Sequence, residues 1–332
     1  MPDAGLPVND FLTWDVASLI AVSFGVGIVI GLTGMGGGAL MTPALIFLGI
    51  PPSAAVANDL VAAAVNKSVG ASVHWRKGSP NFRLAAYLVA GSVPTAFAGA
   101  FIVKAIGNQS EQESFLKIAI GCTLLMASST YAFRMYLELH RGILDTVERA
   151  DPVIRPLPTF AIGVVGGLLV GITSVGSGSL MMVALLVLYP TLTALKLVGT
   201  DLLQAIPLVI SAALSHVFVT GVDWMILIPL IIGGSPGTFL GARIANAVSP
   251  SVIRRGITMV LALTGLSMLK VPPTAVGFIG VGFVLLGPVG WGWLRTRHGL
   301  TPFEHLPIGQ HLARESEAVD PDTIQPLERS VE

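Results

Sequence analysis

Residues 31–48 read GLTGMGGGALMTPALIFL, and residues 171–188 read GITSVGSGSLMMVALLVL. Gly31, Thr33, Gly36, Gly38, Leu40, Met41, Ala44, Leu45 and Leu48 recur as the same residue types 140 positions later, from Gly31 on Gly171 to Leu48 on Leu188. With two residues inserted, the correspondence runs on. Asp59 falls on Asp201, His74 on His216, Phe82 on Trp224, Pro94 on Pro236, Phe97 on Phe239 and Gly99 on Gly241. Chance supplies apolar matches readily, but not Gly, Asp, His and Pro matches in one order. The chain is read as two copies of one unit.

The unit is built for lipid. Of the 332 residues, 53% are apolar and only 11% charged, about half the charge of a soluble domain, and the mean hydropathy is +0.78. So few charges cannot coat a water-exposed surface. Spanning a bilayer takes about 20 apolar residues in a helix. Runs of that order lie at 14–33, 53–75, 83–106, 114–137, 193–219, 224–247, 251–269 and 273–294. Shorter runs at 38–50, 158–173 and 176–190 flank the glycine- and serine-rich breaks and read as short spans or half-helices. The expected fold is an all-α polytopic bundle: a tail at 1–13, a first repeat at 14–137, a polar linker at 138–157, a second repeat at 158–270, an extra helix at 271–295 and a polar tail at 296–332. No Lys or Arg precedes Lys67, so the first apolar run lacks a basic leader region and is expected to stay in the mature protein.

Basic residues collect in cytoplasmic loops, which orients the chain. If each break is a turn, every copy has five segments. With the N-terminus outside, Arg76, Lys77 and Arg83 then lie inside with Arg141, Arg149 and Arg155, with Arg254 and Arg255, and with Arg295 and Arg297. The loop 220–223, the counterpart of 78–81, has no basic residue and is expected outside. Corresponding loops thus carry opposite charge bias, as inverted repeats require. The expectation is two inverted five-segment repeats plus one helix, in the cytoplasmic (inner) cell membrane, with the C-terminal tail inside.

Several functions are excluded or weakened by what is missing. Net charge is zero, with 19 basic and 19 acidic residues, so nothing points to nucleic acid. Cys122 is the only cysteine, which excludes an intrachain disulfide or a cysteine metal site. Gly34, Gly36 and Ala39, with Asp59 twenty residues on, satisfy the dinucleotide-binding pattern, but that motif needs a strand before it and membrane-length apolar runs surround this one. The partial GxSxG at Gly176–Ser179 is followed by Leu180 where a nucleophile elbow needs glycine. No cofactor, metal or catalytic residue is expected, and the chain is read as a non-enzyme.

The residues left to carry function cluster at the breaks and in one helix. Thr33, Gly34, Met35, Gly36, Gly37 and Gly38 interrupt the apolar stretch in the first copy, and Thr173, Ser174, Gly176, Ser177, Gly178 and Ser179 do so in the second. Such backbone at membrane depth is tolerated where it is buried or lines a cavity. Helices starting there offer free N–H groups to an anion, although small residues also serve close helix packing. Helix 53–75 is polar for a span: Asn58, Asp59, Asn66, Lys67 and His74 lie in it. Lys67, near its middle, is a candidate fixed charge for an anion, or else a partner for Asp59 or Asp201. In the second copy Val209 stands in place of Lys67, while Gln204 adds a neutral donor, so the site is asymmetric. Asp59 and Asp201 can carry a proton during transport, or simply suit the first turns of their helices. His74 and His216 are candidate proton relays, or ordinary polar residues near the interface.

At these residues the sequence resembles the TauE/SafE sulfite-exporter family, also called TSUP, in GLTGMGGGALMTPAL (31–45), in AVANDLVAAAVNKSVGASVHWRKG (55–78) and in their repetition, over roughly residues 14–270. The resemblance implies a secondary transporter, often an exporter, of sulfite, sulfonates, thiosulfate or related organosulfur or carboxylate anions. The break 33–38, Asn58, Asp59, Asn66 and Lys67 match the family's first-half motif region. Ser174, Val175 and Ser177 depart from its more glycine-rich second break. The reading that results is a transporter of a small anion such as sulfite or a sulfonate, open to proton coupling, with its site at the midplane between the repeats. Its partners are the small anion and the lipid bilayer, with a homo-oligomer left open. A passive anion channel and a non-transporting accessory protein are the alternatives.

Overall fold

The computed structural model describes residues 14–33, 38–74, 81–141, 153–176, 178, 180–190, 192, 194–245 and 250–297. Eleven helices make up most of them: α1 Trp14–Thr33, α2 Gly38–Phe47, α3 Pro52–His74, α4 Phe82–Lys104, α5 Gln109–Arg141, α6 Pro156–Thr173, α7 Leu180–Leu188, α8 Ala194–Val219, α9 Trp224–Ile244, α10 Pro250–Met268 and α11 Pro273–Arg297. No strand occurs among the described residues. The elements repeat as the sequence does: a long helix, a short one of nine or ten residues, then three long helices, twice over, with α11 added. Helix α5 continues to Arg141, past the boundary expected at 137, while the core of the polar linker and both tails lie outside the described residues.

Seven helices, α1, α4, α5, α6, α8, α9 and α11, are long and apolar enough to cross a membrane. Two more, α3 and α10, have the length but carry polar side chains: the candidate site residues in α3, and Arg254 and Arg255 in α10. Local chemistry starts the helices where expected. Asn81 accepts from Leu84 N at 3.1 Å to cap α4, and Asp223 accepts from Met225 N at 2.9 Å to cap α9. Glu113 of α5 reaches across to the start of α3, where its carboxylate accepts from the Ser53 backbone N (3.2 Å) and Oγ (2.5 Å), an acid placed at the positive end of a helix.

The tightest packing joins the copies. Helix α1 lies along α9 and helix α4 along α6, each copy's first helix on the other's fourth. The contacts correspond residue for residue. A Cβ on Gly99 would strike Gly171, and one on Gly31 would strike Thr238 and Gly241; a Cβ on Gly167 would strike Ser92, and one on Gly27 would strike Gly234. Subtracting 140 or 142 from the second-copy number and adding 142 or 140 to the first-copy number turns each contact into its counterpart. In both pairs residue numbers rise together along the interface, from Gly233 beside Ile20 to Gly241 beside Ile28, and from Gly91 beside Phe160 to Gly99 beside Gly171. Each pair is therefore parallel. Helix α8 also runs parallel to α4, since Thr200 accepts from Asn81 N (3.0 Å) and Ser211 donates to Val93 O (2.8 Å). Backbones this close are what a membrane interior favours, where lipid already solvates apolar side chains and helix association rests on packing. Helix α11 stands apart with Phe278, Leu286 and Val289 exposed, a surface suited to lipid.

Candidate functional site

The two breaks meet. Helix α6 ends at Ser174, which adopts the left-handed conformation (φ 61°) and donates its N–H to Val170 O at 2.8 Å. Thr173 Oγ1 donates to Leu169 O and accepts from Val175 N, closing the end of the helix locally. Gly176 follows with φ 112°, a conformation that favours glycine. Against this turn sits the start of α2: a Cβ on Gly38 would fall on the Ser174 carbonyl and hydroxyl. The glycine at 38 is thus required by the close approach of the other copy's break.

Asp59 ties the junction together. One carboxylate oxygen accepts from Thr42 Oγ1 of α2 at 2.5 Å and from Ser174 Oγ at 2.8 Å. Only 2% of Asp59 is exposed, so a group that water would otherwise solvate takes its hydrogen bonds from the helix that follows the first break and from the second break instead. Its counterpart Asp201, also buried, has a different setting. In place of a hydroxyl clamp it accepts from Gln204 Nε2 at 3.1 Å, within its own helix. Lys67, half-buried on α3, lies within electrostatic reach of Asp201 and of Asp59, and Arg134 of α5 also acts on Asp201. The Arg134 guanidinium donates to Met182 Sδ of α7 at 2.7 Å. Two acids and two cations from α3, α5 and α8 therefore share one region beside the break.

Asn66 and Lys67 separate by function. The Asn66 Oδ1 accepts from Ser235 Oγ of α9 at 2.6 Å, which fixes the amide and leaves its NH2 as donor. His216 Nε2 lies 2.8 Å from Gly171 O, a carbonyl that the end of α6 leaves without a helical donor, while its buried Nδ1 has no hydrogen-bond partner among the described residues. Thr33 Oγ1 donates back to Val29 O and Ile30 O within α1. His74 is the last residue of α3, and its side chain lies outside the description, as do Gly34, Met35, Gly36, Gly37, Ser177 and Ser179 altogether. Gly178 lies in the turn before α7.

Three residues of this constellation escape the sequence reading. Arg134 sits inside an apolar run and is passed over when basic residues are counted in loops. Thr42 stands where the second copy has Met182, and that break in the repeat was its available signal. Ser235 is one small residue in a glycine-rich helix face. An apolar groove of about 510 Å³ between α1, α2 and α10, lined by Val26, Val29, Pro43 and Val260 among others, includes none of these polar residues. Among the described residues no group of three or more His, Cys, Asp or Glu side chains is placed to hold a metal ion.

Comparison with known proteins places the chain among membrane transporters. The pattern of the sulfite exporter TauE/SafE family matches residues 19–268. The chain is similar to the probable membrane transporter protein YjnA of Bacillus subtilis, with 35% identity over 257 residues, 76% of this chain and 99% of the relative. A second protein of that organism, the probable membrane transporter protein YdhB, is 23% identical over 252 residues, again 76% of this chain and 99% of the relative. No solved structure matches.

Proposed function

The chain belongs to the sulfite exporter TauE/SafE family, and on that premise we propose that it is a secondary transporter, not an enzyme, that exports a small anion such as sulfite or a sulfonate across the cell membrane. The observation that carries this reading is the junction of the two breaks at Asp59, with Lys67 in electrostatic reach of it, Gln204 on Asp201 and Asn66 held by Ser235. Polar backbone ends and a lysine are gathered where the two copies meet, the place at which repeat-built transporters bind substrate. Lys67 supplies the attracting charge, Asn66 and Gln204 the neutral donors, and Asp201 takes up a proton when the anion binds.

The parallel helix pairs support inverted repeats. Helix α1 is parallel to α9, and α6 is parallel to α4, which in turn is parallel to α8. Four residues, 220–223, join α8 to α9, with Gly221 at φ 81°. A link that short turns the chain back on itself, so α1 and α6 point in opposite directions. With the basic loops inside, the N-terminus lies outside and the C-terminus in the cytoplasm. In a Cys122→Ser background, Ser79→Cys is expected to react with an impermeant thiol reagent only from the cytoplasmic side, and Gly221→Cys only from outside. Equal accessibility of the two would sink the inverted topology.

The functional test is flux in proteoliposomes, with sulfite, thiosulfate, sulfoacetate and small carboxylates in competition across imposed pH gradients. Saturable sulfite flux is expected in the wild type. Lys67→Gln is expected to weaken it at least tenfold, about the worth of one hydrogen bond to a charged group. No flux of any anion would end the transporter reading, and non-saturable flux independent of pH would turn it into a channel.

A further inference from the structure

Helix α9 uses its glycines unequally. A Cβ on Gly233, Gly237 or Gly241 would run into the backbone of α1, so those three are fixed by packing. Gly234 points elsewhere. The nearest atoms to a Cβ there would be Asn66 Nδ2 at 3.6 Å, Met41 Cε at 3.8 Å and Ser23 O at 3.9 Å, all ordinary contacts. Packing does not require glycine at 234, yet its absent side chain leaves a notch directly before the Asn66 NH2 group. The next residue, Ser235, donates to Asn66 Oδ1 at 2.6 Å and holds the amide so that nitrogen, not oxygen, faces the notch.

The second copy shows what fits such a space. The counterpart of Gly234 is Ser92, fully buried, and its hydroxyl has no hydrogen-bond partner. There the counterpart of Asn66 is Leu208 and that of Ser235 is Val93, so both the donor and the lock are missing. An oxygen-bearing side chain thus occupies the position that the first copy leaves empty, and only the first copy provides an aimed donor for it.

We propose that the notch formed by Gly234, Met41 and the Asn66 amide is a binding subsite for one oxygen of an oxyanion, with Ser235 as the residue that positions the amide. The subsite would take a substrate with an acceptor oxygen projecting from a compact centre, as sulfite, thiosulfate and sulfonates have. Lys67, the next residue on α3, neutralises the charge, and the notch selects for shape. This rests on the transporter reading above.

The test measures sulfite and thiosulfate flux in proteoliposomes, and the shift in unfolding temperature that each anion gives the detergent-purified protein. Ser235→Ala and Gly234→Ala are each expected to raise KM about tenfold while Vmax stays within about twofold, since the first frees the amide, the second fills the notch, and both act on ground-state binding. Without anion, Gly234→Ala should unfold at the wild-type temperature and Ser235→Ala slightly lower, since Asn66 Oδ1 loses its donor, and in both the anion-induced shift should shrink. Asn66→Asp, which keeps the Ser235 bond but presents oxygen to the notch, should abolish saturable flux. An unchanged KM in both alanine variants would overturn the subsite while leaving the transporter reading standing. If the wild type carries no anion, the temperature shift decides: an equal shift in wild type and both variants, or none in any of them, overturns the subsite too.

Discussion

Gly99→Val and Gly31→Val are expected to leave little folded protein in the membrane, and to do so to the same degree. At both positions the first side-chain carbon would land on the backbone of a neighbouring helix, Gly171 in one case, Thr238 and Gly241 in the other. No rotamer relieves such an overlap, because the obstacle is main chain. The helices must separate, and all the close contacts along α4 and α6, or along α1 and α9, are lost together. Overpacking of a well-filled interior costs about 1–3 kcal/mol, and both sites fall at or above the top of that range since the whole interface has to move. Gly277→Val on α11 is the control: nothing lies within 4 Å of its Cβ, and its stability should match the wild type. Thermal unfolding in detergent separates the cases. If Gly31→Val were tolerated and Gly99→Val were not, the structural equivalence of the two copies would be wrong.

That equivalence was legible from residues 31–48 and 171–188, because a duplicated backbone conserves what backbone geometry demands. Gly31 and Gly171, and Gly99 and Gly241, persist since each is pressed against main chain. The site was legible only in part, for a related reason. Residues that bind or position are free to differ between copies, so the repeat cannot announce them. Lys67 stood out because charge in a span is expensive. Ser235 did not, since a hydroxyl among glycines costs little and its role depends on the partner it meets, Asn66, which is 169 positions away. Arg134 hid because it lies inside an apolar run and is not counted with the loop charges, and its setting shows only once Met182 and Asp201 are found beside it. The two aspartates looked alike in sequence, at matching positions, and only their hydrogen bonds tell them apart.

Asp201→Asn is expected to uncouple transport from protons without stopping it. Asp59 and Asp201 both balance Lys67 in the absence of substrate, but Asp59 is committed to Thr42 and Ser174, and those bonds hold the two breaks together. Asp201 has one partner inside its own helix and two cations, Lys67 and Arg134, acting on it. On the function proposed above, an anion arriving beside Lys67 would add a negative charge to a set already balanced, and protonation of Asp201 would restore the balance. Proton and anion binding then reinforce each other by the same factor in both directions. The sign follows: anion KM in the wild type should fall as pH falls, because the protonated form is the one that accepts the anion. An amide at 201 imitates that form, so KM should be low at every pH and the pH dependence lost. Anion accumulation driven by a pH gradient should fall at least tenfold, while anion exchange stays within about threefold of wild type, the residual expected when coupling alone is removed. Asp59→Leu should behave otherwise. It leaves the Thr42 and Ser174 hydroxyls buried without an acceptor, at about 1–3 kcal/mol each, and should lower the unfolding temperature and all flux together. Loss of gradient-driven accumulation in Asp59→Asn but not in Asp201→Asn would reverse the two assignments, and with them the distinction between the acid that holds the breaks and the acid that carries the proton.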